Sequence, residues 1–184
     1  MTVTPTTAKN LVLDAGVVYL NYGEAGERVL GATAGGNTFL IEREIREIAV
    51  DGAKGKVKGL RRLITENAAL TVRLKEMSAD NIRAALAGTA KTDHPDTPGK
   101  THDAVQPTGD VDETEYFTNV ALVATVSGTT TPCVVVLNNA LGDGNLEVNL
   151  LDKEEMVIEV TFSAHYDPND LASPIYAIRY PVVV

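Results

Sequence analysis

The chain has 184 residues, a formal net charge of −9, no tryptophan and one cysteine. That length suits one domain with a real core, and the lone Cys133 excludes an intrachain disulfide and suits a reducing compartment. The acidic balance argues against tight nucleic-acid binding, which draws its affinity from neutralising phosphates.

Residues 1–9 are polar and threonine-rich and read as an N-terminal arm, without the basic start and apolar stretch of a signal peptide. Leu11-Val-Leu13, a turn at Asp14-Ala-Gly16 and Val17-Val-Tyr-Leu20 predict two short strands around a tight bend. Asn21 to Asn37 holds five glycines and no clear period, which predicts a long loop.

Thr38 to Gly88 is the most strongly patterned stretch. Phe39, Ile41 and Ile45 alternate with Glu42, Glu44 and Arg46, and Leu70, Val72 and Leu74 alternate with Thr71, Arg73 and Lys75. Both runs have the period of a strand with one buried and one wet face. Between them, 51–59 has too many glycines to pack and too many lysines to bury, so it should project as a hairpin loop. Ser78 then reads as an N-cap, Asp80 suits the positive helix end, and Gly88 is a stop signal. Ile82, Ala85 and Leu86 give this short helix one apolar stripe.

Residues 89–113, with Pro95, Pro98 and Pro107 and almost nothing apolar, predict a long polar loop. Tyr116 to Val126 and Cys133 to Leu137 then read as a hairpin, Asn138 to Asn145 as a turn-rich link, and Leu146 to Leu150 as a strand. Glu155 to Tyr166 reads as a final long strand, and 175–184 as a last strand or C-terminal arm. The whole is mainly β, with Val, Thr and Ile recurring in short alternating runs. Connections in a small β domain usually run about four to six residues, so its three long irregular stretches suit contact with neighbours.

Charge is unevenly placed. Residues 1–62 carry nine Lys/Arg against seven Asp/Glu, whereas 63–184 carry seven against eighteen. The basic stretch Lys54, Lys56, Lys58, Arg61 and Arg62 is expected to meet an acidic surface of a second copy, with Asp110, Asp112, Glu113 and Glu115 as its candidates. The stretch lacks the Gly-Lys-Ser/Thr of a phosphate loop and the aromatics that stack bases.

No catalytic signature appears, so no enzyme and no cofactor are expected. Cys133, in an apolar run, reads as a buried structural thiol. Asp167-Pro-Asn-Asp170 reads as a β-turn rather than a calcium loop, because Leu171 stands at the next ligand position. The histidines His94, His102 and His165 could make a metal site only if the fold brought them together; His94 and His102 lie in the polar loop without a helical pair or a nearby cysteine, and no metal is expected. No apolar run is long enough to span a bilayer, so no membrane is expected.

Several segments, in this order, carry a family resemblance. They are Asn10-Leu-Val-Leu-Asp-Ala-Gly-Val-Val-Tyr19, Gly31-Ala-Thr-Ala-Gly-Gly-Asn-Thr-Phe39, Asp51-Gly52 with Gly55-Lys-Val-Lys-Gly59, and Thr65-Glu-Asn-Ala-Ala-Leu-Thr-Val72. The Ser78 helix ending at Gly88 and the closing Val160-Thr-Phe-Ser-Ala-His-Tyr-Asp-Pro168 complete the set. Together they resemble the major tail tube proteins of long-tailed, siphovirus-like bacteriophages, similar in plan to contractile-tail and type VI secretion tubes. The resemblance covers most of the chain except 89–113, and its motifs are structural.

It implies a single tail tube domain, a β-sandwich or barrel-like body with one short flanking α-helix and long assembly loops. It implies a structural virion protein in the phage tail, assembled in the host cytoplasm. Homohexameric rings would stack head to tail into the tube that conducts the genome. Tail tip or baseplate, tape measure and tail terminator proteins would be partners, and DNA would pass without specific binding. Glu42, Glu44, Arg46, Thr71, Arg73 and Lys75 would be candidates for the lumen face. The alternatives are a tail terminator or other virion accessory or decoration protein of related β fold, and a monomeric immunoglobulin-like binding module.

Overall fold

The computed structural model describes residues 7, 9–97, 100–148, 152–153 and 155–182, with the backbone alone for 93–97, 100 and 101. Its strands are β1 (Val17–Leu20), β2 (Arg28–Val29), β3 (Thr38–Glu47), β4 (Arg61–Leu74), β5 (Thr89–Thr97), β6 (Lys100–Pro107), β7 (Phe117–Ala124), β8 (Cys133–Gly142), β9 (Ile158–Ala164) and β10 (Tyr176–Arg179). One helix, α1 (Ala79–Ala85), and a 3-10 turn at Glu113–Glu115 complete the described elements. The fold is therefore mainly β, as the alternating runs predict.

The main sheet runs β2-β1-β7-β8-β9-β4-β3, with β10 also on β8, and every pairing is antiparallel. β8 is its corner: Val134–Leu137 pair with β10, whereas Ala140–Gly142 pair with β9. The switch falls at Asn138-Asn139. Asn139 takes a positive φ of 47°, and the Asn138 amide side chain donates to the Pro174 carbonyl at 2.8 Å. Asparagine tolerates this conformation and supplies its own hydrogen bonds. The expected turn-rich link at 138–142 is thus the second half of a strand that changes partners.

Two layers result, β2-β1-β7-β8-β10 and β8-β9-β4-β3, and their facing sides make one core. Leu20, Leu70, Val72, Leu74, Val120, Leu137 and Phe162 are fully buried in it, each large aliphatic or aromatic contributing about 1.5–3 kcal/mol. In β4 the buried residues are Ala68, Leu70, Val72 and Leu74, alternating with Ala69, Thr71 and Arg73. In β9 they are Ile158, Val160 and Phe162.

The helix begins where predicted, with Ser78 Oγ accepting from the Asn81 amide at 3.2 Å. Its buried face is Asn81, Ala84 and Ala85 rather than Ile82, Ala85 and Leu86. Small residues are needed there because Gly142 of β8 lies directly beneath Ala84.

Three other expectations give way. Leu11–Leu13 contributes only an isolated bridge, Val12 to Val126. Residues 146–148 are not a strand. Leu146 packs against the core from an irregular segment, since both edges of neighbouring β9 are taken by β8 and β4. Residues 89–97 and 100–107 form the antiparallel strand pair β5–β6 instead of a loop. This pair stands outside the main sheet and is held beside α1 by Lys91, whose Nζ lies 3.2 Å from Asp80 and 3.0 Å from Asp103.

Candidate functional site: an open strand edge and a projecting arm

β3 ends the main sheet, and along its ten residues no described strand pairs with its outer edge. Its inner edge pairs with β4 from Thr38↔Thr71 to Glu47↔Arg61, with one bulge. The bulge lies between Glu44↔Thr65 and Ile45↔Leu63, and leaves Ile64 as the extra residue of β4. An extra residue reverses the facing of the chain beyond it. Leu63 therefore joins Ile45 on the side that carries Phe39 and Ile41 nearer the body.

Beyond the bulge the hairpin leaves the core. Ile45, Leu63 and Ile64 are 46%, 50% and 55% exposed, although each would be buried in an ordinary sheet. An ion pair lies on either side of Ile45 and Leu63. Toward the body, Arg43 Nε donates to Glu66 Oε1 at 2.6 Å and Arg43 Nη2 reaches the Tyr176 hydroxyl at 3.3 Å. The Glu66 carboxylate holds the Arg43 guanidinium above its ordinary pKa. Toward the tip, Glu47 takes Arg61 at 3.2 Å and Lys56 at 3.1 Å. An apolar centre with a charged rim is the anatomy of a protein interface.

The tip is closed by Ile48 N–H donating to the Leu60 carbonyl at 2.9 Å, with Gly52 and Gly59 at positive φ. Ile48 and Val50 are also exposed there. Of the basic residues expected at this loop, Lys56 and Arg61 pair with Glu47. The Arg62 guanidinium donates to the carbonyls of Gly59 and Arg61. Lys54 and Lys58 make no ion pair among the described residues.

The face of β3, β4 and β9 turned from the core brings the other predicted residues together. Glu42 stands opposite Asn67, Glu44 opposite Thr65, Arg46 opposite Arg62, and Thr71 between Thr38 and Thr161. The Thr71 and Thr161 hydroxyls are 3.2 Å apart. Arg73 is opposite Glu159, 3.6 Å away, and Lys75, just past β4, lies 3.0 Å from Glu155. Lys75 holds the Glu155 carboxyl below its ordinary pKa. Thus Arg73 and Lys75 are answered by acids of the same chain, while Glu42 and Glu44 have no ion pair among the described residues.

The acidic candidates lie elsewhere. Asp112 caps the 3-10 turn by accepting from the Thr114 amide at 3.0 Å, which lowers its pKa. Glu115 Oε2 accepts from the Gly88 amide at 2.7 Å. Asp110 and Glu113 are exposed on the same turn. Within one chain this turn makes no ion pair with the basic tip among the described residues.

Cys133 is buried, and burial pushes its thiol pKa up, away from the range of a nucleophile. Asp167 and Asp170 close an isolated bridge, and Asp167 accepts from the Asn169 amide as in an Asx turn. A cleft of about 410 Å³ lies between β2, α1 and the approach to β7. Its buried polar residue, Asn81, already accepts from Arg28 and donates to the Leu30 and Glu76 carbonyls. Among the described residues no three His, Cys, Asp or Glu side chains converge as a metal site, and no helix is long and apolar enough to cross a membrane.

Sequence reasoning found the wet face and the basic tip but missed the exposed apolar pair. Its one signal was Leu63-Ile64, two adjacent apolar residues where strict alternation allows one. No known protein family and no characterised protein matches the chain.

Proposed function

We propose that the protein is a structural subunit that polymerises with copies of itself, and that its polymer is the tail tube of a long-tailed bacteriophage. The observation that carries this reading is the open β3 edge continuing into an arm with exposed Ile45, Leu63 and Ile64. A long unpaired edge beside exposed apolar residues is an aggregation hazard that a monomer would have to cover or blunt. A partner strand from a second copy covers it.

The two ends of the contact are chemically different, since the arm is basic at its tip and the 110–115 turn is acidic. A contact between unlike patches is heterologous and generates rings or filaments. The order of segments shared with tail tube proteins supports hexameric rings stacked head to tail in a virion tail. In that assembly the β3-β4-β9 face lines the lumen. Glu42 and Glu44 repel phosphate there and let DNA slide.

Negative-stain electron microscopy of the purified protein, before and after concentration, with its mass in solution, tests the reading. Hollow tubes of stacked rings are expected. Closed rings or trimers that never elongate would assign it instead to a terminator or accessory role.

A further inference from the structure

The tip of the β3–β4 arm carries a hollow of about 140 Å³. Ile48, Val57 and Leu60 line it, and Glu47 with its two cations, Lys56 and Arg61, stands around it. Ile48 and Val57 are exposed there, so the chain leaves this apolar lining wet. The volume compares with that of cavities that take up a benzene molecule, so one branched aliphatic side chain fits. An apolar pocket inside a charged rim is where a single anchor side chain contributes most to an interface.

Val111 and Leu171 are exposed aliphatic side chains on acidic turns, Val111 between Asp110 and Asp112 and Leu171 beside Asp170. Val111 is the better placed on two counts. The Asp170 carboxylate is already held by the Ala172 amide and the Ser173 hydroxyl, whereas the side chains of Asp110 and Glu113 make no ion pair or hydrogen bond among the described residues. The 167–173 turn also leads to Tyr176, which meets Arg43 and Glu66 at the root of the arm, so Leu171 lies toward the tip's own end of the body. The Val111 turn lies at the other end. A Cβ placed on Gly88 would stand 3.6 Å from Val111 Cγ2, and the neighbouring Ala87 amide donates to Gly142, which pairs with Phe162 and through it with Leu70. Leu70 is near the end of β4, about 30 Å from Arg61 at the rise of a strand.

The tip and the Val111 turn therefore do not meet within one chain, but a second copy shifted along β4 brings them together. Resting on the reading of the protein as a self-polymerising subunit, we propose that Val111 of one copy seats in the tip hollow of the next. Asp110 and Glu113 then face Lys54 and Lys58, which make no ion pair among the described residues of their own chain. A contact between unlike patches related by a shift repeats from copy to copy and builds a filament.

The test is disulfide trapping between full-length variants mixed in solution, Val57→Cys with Val111→Cys, under mild oxidation. Cys133 is buried and stays silent. A dimer linked through 57 and 111 is expected from the mixture, and a ladder of multimers from the chain carrying both substitutions. Val57→Cys mixed with Leu171→Cys is expected to give no such product. Independently, Val111→Thr puts a hydroxyl into the apolar hollow and should raise the concentration at which tubes appear at least about tenfold, while Leu171→Thr leaves it unchanged. Far-UV circular dichroism checks that each variant keeps its strand content. Wild-type tubes without the 57–111 product, a Leu171 product of equal yield, or an unchanged threshold in Val111→Thr would overturn the proposal and leave the polymer reading standing. The 57–111 product without tubes would support the contact and overturn the tube, and absence of both would overturn both.

Discussion

Gly142 of β8 passes so close beneath Ala84 of α1 that a Cβ added to it would stand 2.0 Å from the Ala84 carbonyl oxygen. The approach is fixed on both sides, because the Ala87 amide donates to the Gly142 carbonyl at 2.8 Å. Backbone meets backbone here, so no side chain can rotate away. Gly142→Ala is expected to destabilise the fold by at least the ~1–3 kcal/mol typical of overpacking, read as a lower midpoint of urea unfolding. Gly52→Ala is a useful contrast, since nothing lies near its Cβ position and only its φ of 86° opposes the change.

Asp14 supplies a pH-dependent part of the stability. Its carboxylate accepts from the amides of Gly16 and Thr125, each at 3.1 Å, tying the bend before β1 to the end of β7. Hydrogen bonding by Thr125 is the largest cause of its lowered pKa. A carboxyl with a depressed folded pKa contributes stability that is fully present above its unfolded value and is lost as pH falls through the folded one. Asp14→Ala is therefore expected to be less stable than the wild type at pH 7. The gap should narrow once pH drops below the ordinary value of 3.8. Chemical unfolding of both proteins at neutral and acid pH measures it, and a gap that stays constant would show that the charge has no part in the effect.

The body was legible where one physical rule acted alone. Alternation marked the buried side of β4, and Ser78 marked the helix start. It was illegible where tertiary context reversed the local signal. Asn138-Asn139 reads as a turn, yet here the pair bends a continuous strand from β10 to β9. Residues 89–107 read as loop because they are polar and proline-rich, whereas β5 and β6 are held together by strand pairing and beside α1 by Lys91. For the candidate site, the wet face followed from period two, but the bulge at Ile64 did not. A single extra residue shows in the sequence only as the adjacent pair Leu63-Ile64, and its place is fixed once both strands are in register.

That bulge sets the proposed assembly contact apart from the core, which makes the proposal measurable. Ile45 and Leu63 are half exposed and lie beyond the core, so replacing both by threonine keeps strand propensity and removes little buried area. Stability should change by no more than about 0.5 kcal/mol per site, the usual range for surface substitutions. Polymerisation should fail, because the exposed pair and the adjoining β3 edge make the proposed contact. Leu70→Thr reverses the expectation, since Leu70 is fully buried and its change lowers stability whatever the state of assembly. The measurements are the urea midpoint and the tube yield by electron microscopy for each variant. If the double threonine variant forms tubes as readily as the wild type, the arm is not the assembly contact.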